Sequence, residues 1–263
     1  MDYHVHSNFS GDCSVKPEDI IIDAIKNGLK EICFTDHIDY DCPDLPEKFE
    51  FDADIYFESM TQLKDKYKEN INIKIGVEIG LQGHILEKCS DFINSKDYDF
   101  VIASFHTHKN KDIYFTDVLF KKTPNEVLSD YLDEILYSIN NYNDYSVIGH
   151  LDLLKRYSHG IRDLDVKNYF DKYSEIFKIL IKNGKGIEIN TSGLRQDVGV
   201  QFPDVELIKL YKELGGEIIT LGSDTHGIGT LMYKFDEIKL ILKEIGFNYI
   251  YHFDKRKPIK LEI

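Results

Sequence analysis

The stretch IKIGVEIG, residues 73–80, holds an apolar, β-branched run of strand length, Ile73 to Ile79, with a single carboxylate, Glu78, near its end. A lone carboxylate in such a strand is costly unless it is paired, hydrogen-bonded, coordinated or placed at an open end. Outward in both directions similar runs recur: Asp2 to Val5, Glu31 to Thr35, Phe100 to Ser104, Ser146 to Gly149, Gly186 to Ile189 and Glu217 to Leu221. Amphipathic segments separate them. The first is opened by Pro17 and stopped by Gly28, and Asp54 to Glu69, Ile85 to Asn94, Pro124 to Asn140, Val166 to Asn183, Pro203 to Leu214 and Leu231 to Ile245 follow. Strands alternating with helices suit repeated βα units better than hairpins, which predicts an α/β barrel.

The 263 residues, 42% of them hydrophobic, fit one such barrel, so a single domain over 1–263 is expected. The loops Asp39 to Asp52 and Lys109 to Thr123 are long and polar and could serve as lids, but neither has the composition of an interdomain linker. A net charge of −14 opposes binding to long polyanions, so a nucleic-acid partner is not expected. No cationic apolar leader and no bilayer-length apolar stretch is present, which points to a cytoplasmic protein without a membrane partner. Cys13, Cys33, Cys42 and Cys89 lack CxxC spacing and read as reduced thiols.

Barrel active sites form at the C-terminal ends of the strands, where loops bring distant residues into one pocket. At those ends stand His4 and His6, Asp36 and His37, Glu78, His106, His150, Asn190, then Asp224 and His226. Period-two geometry points both imidazoles of the HxH pair to one side of a strand, where they could grip one metal. An isolated pair of this kind reads more simply as surface histidines, but here SGDC adds Asp12 and TDH adds Asp36 and His37. Carboxylates with neutral imidazoles suit zinc, iron or manganese in a catalytic centre. Glu78 has two oxygens with which to bridge two cations. His84, His108, His159 and His252 fall off this rhythm and are assigned to the surface or to supporting roles.

In order, the strings HVHSNFSGD, FTDH, GVEIG, SFH, GHLD and GSDTH resemble the polymerase and histidinol phosphatase (PHP) superfamily over almost the whole chain. With NTSGLR and GGEIITLGSDTH, the resemblance is to its monofunctional histidinol phosphatases. It implies a distorted TIM-like barrel of seven βα units and three divalent ions per chain. His4, His6, Glu78 and Asp224 would bind one ion, Glu78, His106 and His150 a second, and Asp12, His37 and His226 the third. Arg156 and Arg195, in resembling motifs, are expected to contact phosphate through their planar forks, whereas Arg162 and Arg256 read as surface salt bridges. Asp36 is expected to orient a ligand histidine.

Catalysis then falls to Glu78, Asp224, Arg156 and Arg195. Two ions sharing Glu78 would lower the pKa of a bridging water toward ~7 for in-line attack on phosphorus. The resemblance implies L-histidinol phosphate as the small-molecule phosphomonoester hydrolysed in histidine biosynthesis. Tyr40, Phe115 and Tyr157 are candidate pocket walls. Two other readings remain: a phosphodiesterase, exonuclease or nucleotide phosphatase using the same metals, and a noncatalytic metal-stabilised scaffold.

Overall fold

The computed structural model of the chain describes residues 1–42, 48–114 and 122–263. In the central sheet β1 (Asp2–Val5), β2 (Glu31–Phe34), β4 (Asn72–Gly80), β5 (Phe100–Ser104), β6 (Val147–Ile148), β7 (Gly186–Asn190) and β8 (Ile219–Gly222) lie side by side in chain order. β3 (His37–Ile38) resumes the line of β2 after Thr35 and Asp36 and pairs with the C-terminal half of β4. All these pairings are parallel. After β8, the amide of Asp224 donates to His4 O at 2.9 Å and that of His6 to Thr225 O at 3.0 Å. The sheet thereby nearly closes on itself as a distorted TIM-like (β/α)7 barrel.

Helices α1 (Pro17–Lys26), α2 (Ala53–Tyr67), α3 (Leu86–Asn94), α4 (Pro124–Asn141), the short α5 (Leu154–Tyr157) and α6 (His159–Arg162), then α7 (Phe170–Lys182), α8 (Val205–Glu213) and α9 (Phe235–Ile245), run between and after the strands. Their starts follow local chemistry. Pro17 opens α1 with Glu18 and Asp19 in the first turn, Asp52 caps α2, and Thr123 with Glu126 forms a capping box for α4. The larger of two apolar clusters runs from Val5 to Ile250 and includes Ile20, Ile21 and Ala24 of α1, and a smaller one joins Tyr3, Phe100 and Ile102 to Tyr251 and Phe253. Each fully buried Ile or Leu there contributes roughly 1.5–3 kcal/mol. Among the described residues no helix is long and apolar enough to cross a membrane.

The structure departs from the sequence expectation at several ends. The strand expected over Ser146 to Gly149 shrinks to two residues. The helix expected from Leu231 begins at Phe235, because Met232 and Lys234 adopt left-handed backbone and the Met232 amide is held by Asp2 Oδ2 at 2.9 Å. The one from Pro203 begins at Val205 behind its cap Asp204, and the one from Val166 opens as a 3-10 turn, Val166–Tyr169.

An antiparallel ribbon, β9 (Tyr249–Asp254) and β10 (Lys257–Glu262), lies outside the sequence expectation. Its two-residue turn, Lys255 and Arg256, has φ of 46° and 61°, which matches the twist of a tight hairpin. Phe253 packs on Phe100 with ring centroids 4.9 Å apart, and Arg256 N donates to Asp99 O at 2.8 Å. The ribbon therefore covers the end at which the barrel strands begin. The C-terminal ends are left open.

Candidate metal centre

At that open end the nine residues expected to bind metal stand together around the fully buried Glu78. Its Oε2 lies 3.2 Å from His4 Nε2, 3.5 Å from His6 Nε2 and 3.0 Å from His37 Nδ1. Its Oε1 lies 2.9 Å from His150 Nε2 and 3.3 Å from His106 Nε2, and accepts from Ser104 Oγ at 2.6 Å. Asp224 Oδ1 closes the first group, 3.3 Å from His6 Nε2 and 3.7 Å from His4 Nε2. Further out, Asp12 Oδ2 lies 3.2 Å from His226 Nε2 and 3.8 Å from His37 Nε2. The His6 ring stacks against both His37 and His226, at 4.3 and 4.1 Å. Ligand atoms gather as His4, His6 and Asp224; His4, Glu78 and His150; His6, His37 and His226; and His37, Asp39 and His106.

The donor set fits divalent ions. His4 Nε2, His6 Nε2, His37 Nδ1, His226 Nε2 and Glu78 Oε2 are all buried, and although they lie close to one another or to a carboxylate none makes an aligned hydrogen bond, a costly arrangement for polar atoms unless something else binds them. They converge, and imidazole nitrogen with carboxylate oxygen is the chemistry of borderline cations. Burial opposes the charged form of Glu78, yet His4, His37 and His106 hold its carboxyl well below the ordinary value. Burial likewise opposes the His106 cation, but Asp39 and Glu78 raise its pKa to about 10. His6 goes the other way. Burial, then neighbouring His226 and His37, push it down to about 3, leaving a neutral ring.

Two carboxylates that the strand-end rhythm missed touch these rings. Asp39 Oδ1 lies 2.7 Å from His106 Nδ1 and its Oδ2 3.3 Å from His37 Nδ1. Glu188 Oε1 lies 2.5 Å from His4 Nδ1. Each occupies space left by a strand-end glycine: a Cβ on Gly80 would fall 1.8 Å from Asp39 Oδ1, and one on Gly222 2.1 Å from Glu188 Oε1. A signal existed for both. Asp39 continues the TDHID string at period two, and Glu188 in GIEIN repeats the pattern of Glu78 in GVEIG. Asp36 acts through an intermediary. It accepts from Ser10 Oγ at 2.8 Å, and that hydroxyl lies 3.0 Å from His6 Nδ1.

Above the cluster opens a pocket of about 500 Å³ whose wall includes Phe49, Ile113, Arg156 and Tyr157. Arg156 hydrogen-bonds Ser192 Oγ, lies 3.4 Å from Asp224 Oδ2 and covers the Phe202 ring at 5.3 Å. Arg195 donates to Asp224 O at 3.1 Å and lies over the Tyr233 ring at 5.5 Å. Arg156 Nε and Arg195 Nη1 are buried without partners, so each fork has an N–H to offer.

Other expectations are corrected. Arg162 donates to the carbonyls of Lys155 and Arg156, and Arg256 to Asn94 Oδ1, so among the described residues both bond neutral oxygens rather than forming the expected salt bridges. Tyr40 is buried against Phe92, away from the pocket. Phe115 lies outside the described residues. His84, His108 and His252 pair with Asp41, Glu134 and Glu31, and His159 lies beside Arg162, all apart from the cluster. Cys13 turns its sulfur toward the carbonyls of His226 and His6.

The PHP domain model matches residues 2–192. A histidinol-phosphatase of Lactococcus lactis subsp. lactis is 33% identical over 259 residues, 98% of this chain and 95% of that one. The crystal structure of histidinol phosphate phosphatase from Lactococcus lactis subsp. lactis, complexed with zinc, L-histidinol and phosphate, superposes with a TM-score of 0.90 over 98% of each chain. A Listeria monocytogenes structure with 18% identity, covering 90% of this chain and 98% of that one, shares the fold at a TM-score of 0.74. A matched family model over most of the chain, and a third of the residues identical along its length, carry one conclusion: this chain belongs to the PHP domain family and groups there with the histidinol phosphatases.

Proposed function

We propose that this chain is a metal-dependent phosphomonoesterase that hydrolyses L-histidinol phosphate to L-histidinol and inorganic phosphate, a step of histidine biosynthesis. The observation that carries it is the set of buried imidazole and carboxylate atoms without aligned hydrogen-bond partners beneath two adjoining cavities, one lined by Arg156 and the other by Arg156 and Arg195. The full-length likeness to a histidinol phosphate phosphatase crystallised with zinc, L-histidinol and phosphate supports the substrate. Three ions suit the donor groups. His4, His6, Glu78 and Asp224 would hold one, Glu78, His106 and His150 a second, and Asp12, His37 and His226 the third.

Divalent ions bound there supply Lewis acidity toward phosphoryl oxygens and lower the pKa of a coordinated water. The chain's own part is to hold charge in place. Arg156 and Arg195 present guanidinium N–H groups to the non-bridging phosphate oxygens, each fork steadied by an aromatic face and by Asp224. Tyr157 and Phe49 give the pocket an apolar flank for the organic part of the monoester. The net charge of −14 argues against nucleic acid as substrate. The four cysteines are buried thiols rather than disulfides, which suits the cytoplasm.

The test is phosphate release from L-histidinol phosphate by metal-analysed protein, beside a nucleotide monoester, a diester and single-stranded DNA. Selective release from histidinol phosphate is expected. Preference for a nucleotide or DNA overturns the substrate and keeps the metal chemistry, and inertness of fully loaded protein toward all four leaves a scaffold.

A further inference from the structure

Glu188 lies outside the nine-residue cluster, on β7, and is 1% exposed. Its two oxygens serve different elements. Oε1 lies 2.5 Å from His4 Nδ1 on β1. Oε2 accepts the backbone N–H of His150, just past β6, at 3.0 Å, and Asn190 Nδ2 at 3.2 Å. To reach β1 the side chain passes over β8 at Gly222, where a Cβ would fall 2.1 Å from its carboxylate. The His150 that it holds has φ of +20°, a conformation L residues adopt only when their surroundings impose it.

We propose that Glu188 is a positioning residue that fixes which nitrogen of His4 faces the metal and ties His4 to His150, so that two metal subsites assemble together. This rests on the metal-centred reading of the cluster. By accepting a hydrogen bond from Nδ1–H of His4, Glu188 leaves the free lone pair on Nε2, the atom aimed at Glu78 Oε2 and Asp224 Oδ1. His4 belongs to one donor group with His6 and Asp224 and to another with Glu78 and His150. A carboxylate that holds His4 with one oxygen and His150 with the other therefore transmits the ordering of either group to its neighbour.

The experiment measures metal binding rather than turnover. Metal-free wild type, Glu188→Gln and Glu188→Asp are titrated with Zn²⁺ against a chromophoric chelator, and the melting of each metal-free protein is recorded alongside. The Gln variant is expected to bind zinc roughly 10–100-fold more weakly, with a shallower loading curve and an unchanged metal-free melting temperature. The Asp variant, too short to keep both contacts, falls between. Wild-type affinity and slope in the Gln variant overturn the proposal, and so does a loss matched by an equal loss of metal-free stability, which marks a merely structural role. A measurement without variants stands beside these. The ¹⁵N shifts of His4 in zinc-loaded wild type should report a protonated Nδ1 and a coordinated Nε2, and the opposite tautomer refutes the assignment even where both variants misfold. Wild type that binds no zinc removes the metal reading itself, an outcome distinct from the failure of Glu188 alone.

Discussion

Glu78 sits at the centre of the cluster, and its replacement should cost more than loss of an outer support. Glu78→Gln keeps the size but removes the charge that His4, His37 and His106 face. Histidinol phosphate turnover and bound metal should both fall by more than about 100-fold, the upper end for a supporting residue, as read by phosphate release and elemental analysis. Arg156→Lys tests geometry at constant charge. Lysine cannot span Ser192, Asp224 and a phosphate oxygen in one plane, so kcat/KM should drop about 10–100-fold, the equivalent of one charge-assisted hydrogen bond, with metal content unchanged. The residues at strand ends were legible because strand-end position and ligand chemistry coincide in them. Asp39 and Glu188 left a mark in TDHID and GIEIN, but not their role, because a supporting carboxylate is told from a salt-bridged one only by what its oxygens touch, and the glycines that admit them look like ordinary strand punctuation.

Among the elements, the β9–β10 ribbon is anchored to the sheet by apolar packing and by the ion pair of Lys74 with Asp254 at 2.6 Å. Burial works against the Lys74 ammonium, but hydrogen bonding to Asp254 and the charges of Asp99 and Asp254 raise its pKa above the ordinary value. The hydrogen bond from Lys74 lowers that of Asp254. The carboxylate's contribution is complete above its ordinary pKa near 4 and is lost as pH falls through the lowered value. The ammonium's is complete below its ordinary value near 10.4 and is lost as pH rises through the raised one. Asp254→Asn should therefore destabilise the fold at neutral pH, by at most about 0.5 kcal/mol given the exposure of the carboxylate, and have no effect at either extreme. Melting curves across pH read this directly, and an equal effect at all pH values would show that the pair is not what matters. The seven barrel strands could be read because their β-branched runs are buried. In β10 every residue over Lys257–Glu262 is exposed, so burial left no mark on its sequence. The late start of α9 was equally hidden, since it depends on Asp2, more than two hundred residues earlier in the chain, holding the Met232 amide.

For the whole molecule, metal and fold are linked. Ions that bind the folded cluster and not the unfolded chain stabilise it by about 4 kcal/mol at a thousandfold excess over Kd, which for a chain of this size is a melting shift on the order of 10 °C. Chelation should lower the melting temperature by that amount, and zinc should restore it; no shift would mean the cluster holds its imidazoles without metal. The contiguous core from Val5 to Ile250 supports a single domain over 1–263, which we propose, and the metal-free protein should then unfold in one calorimetric transition rather than two. The ribbon that covers the strand-start end also carries Ile263, whose amide donates to Asn248 O at 3.2 Å. A tether attached there would fix the protein to a bead or electrode by its closed base, so that immobilised molecules would all turn their substrate entrance toward the flowing solution.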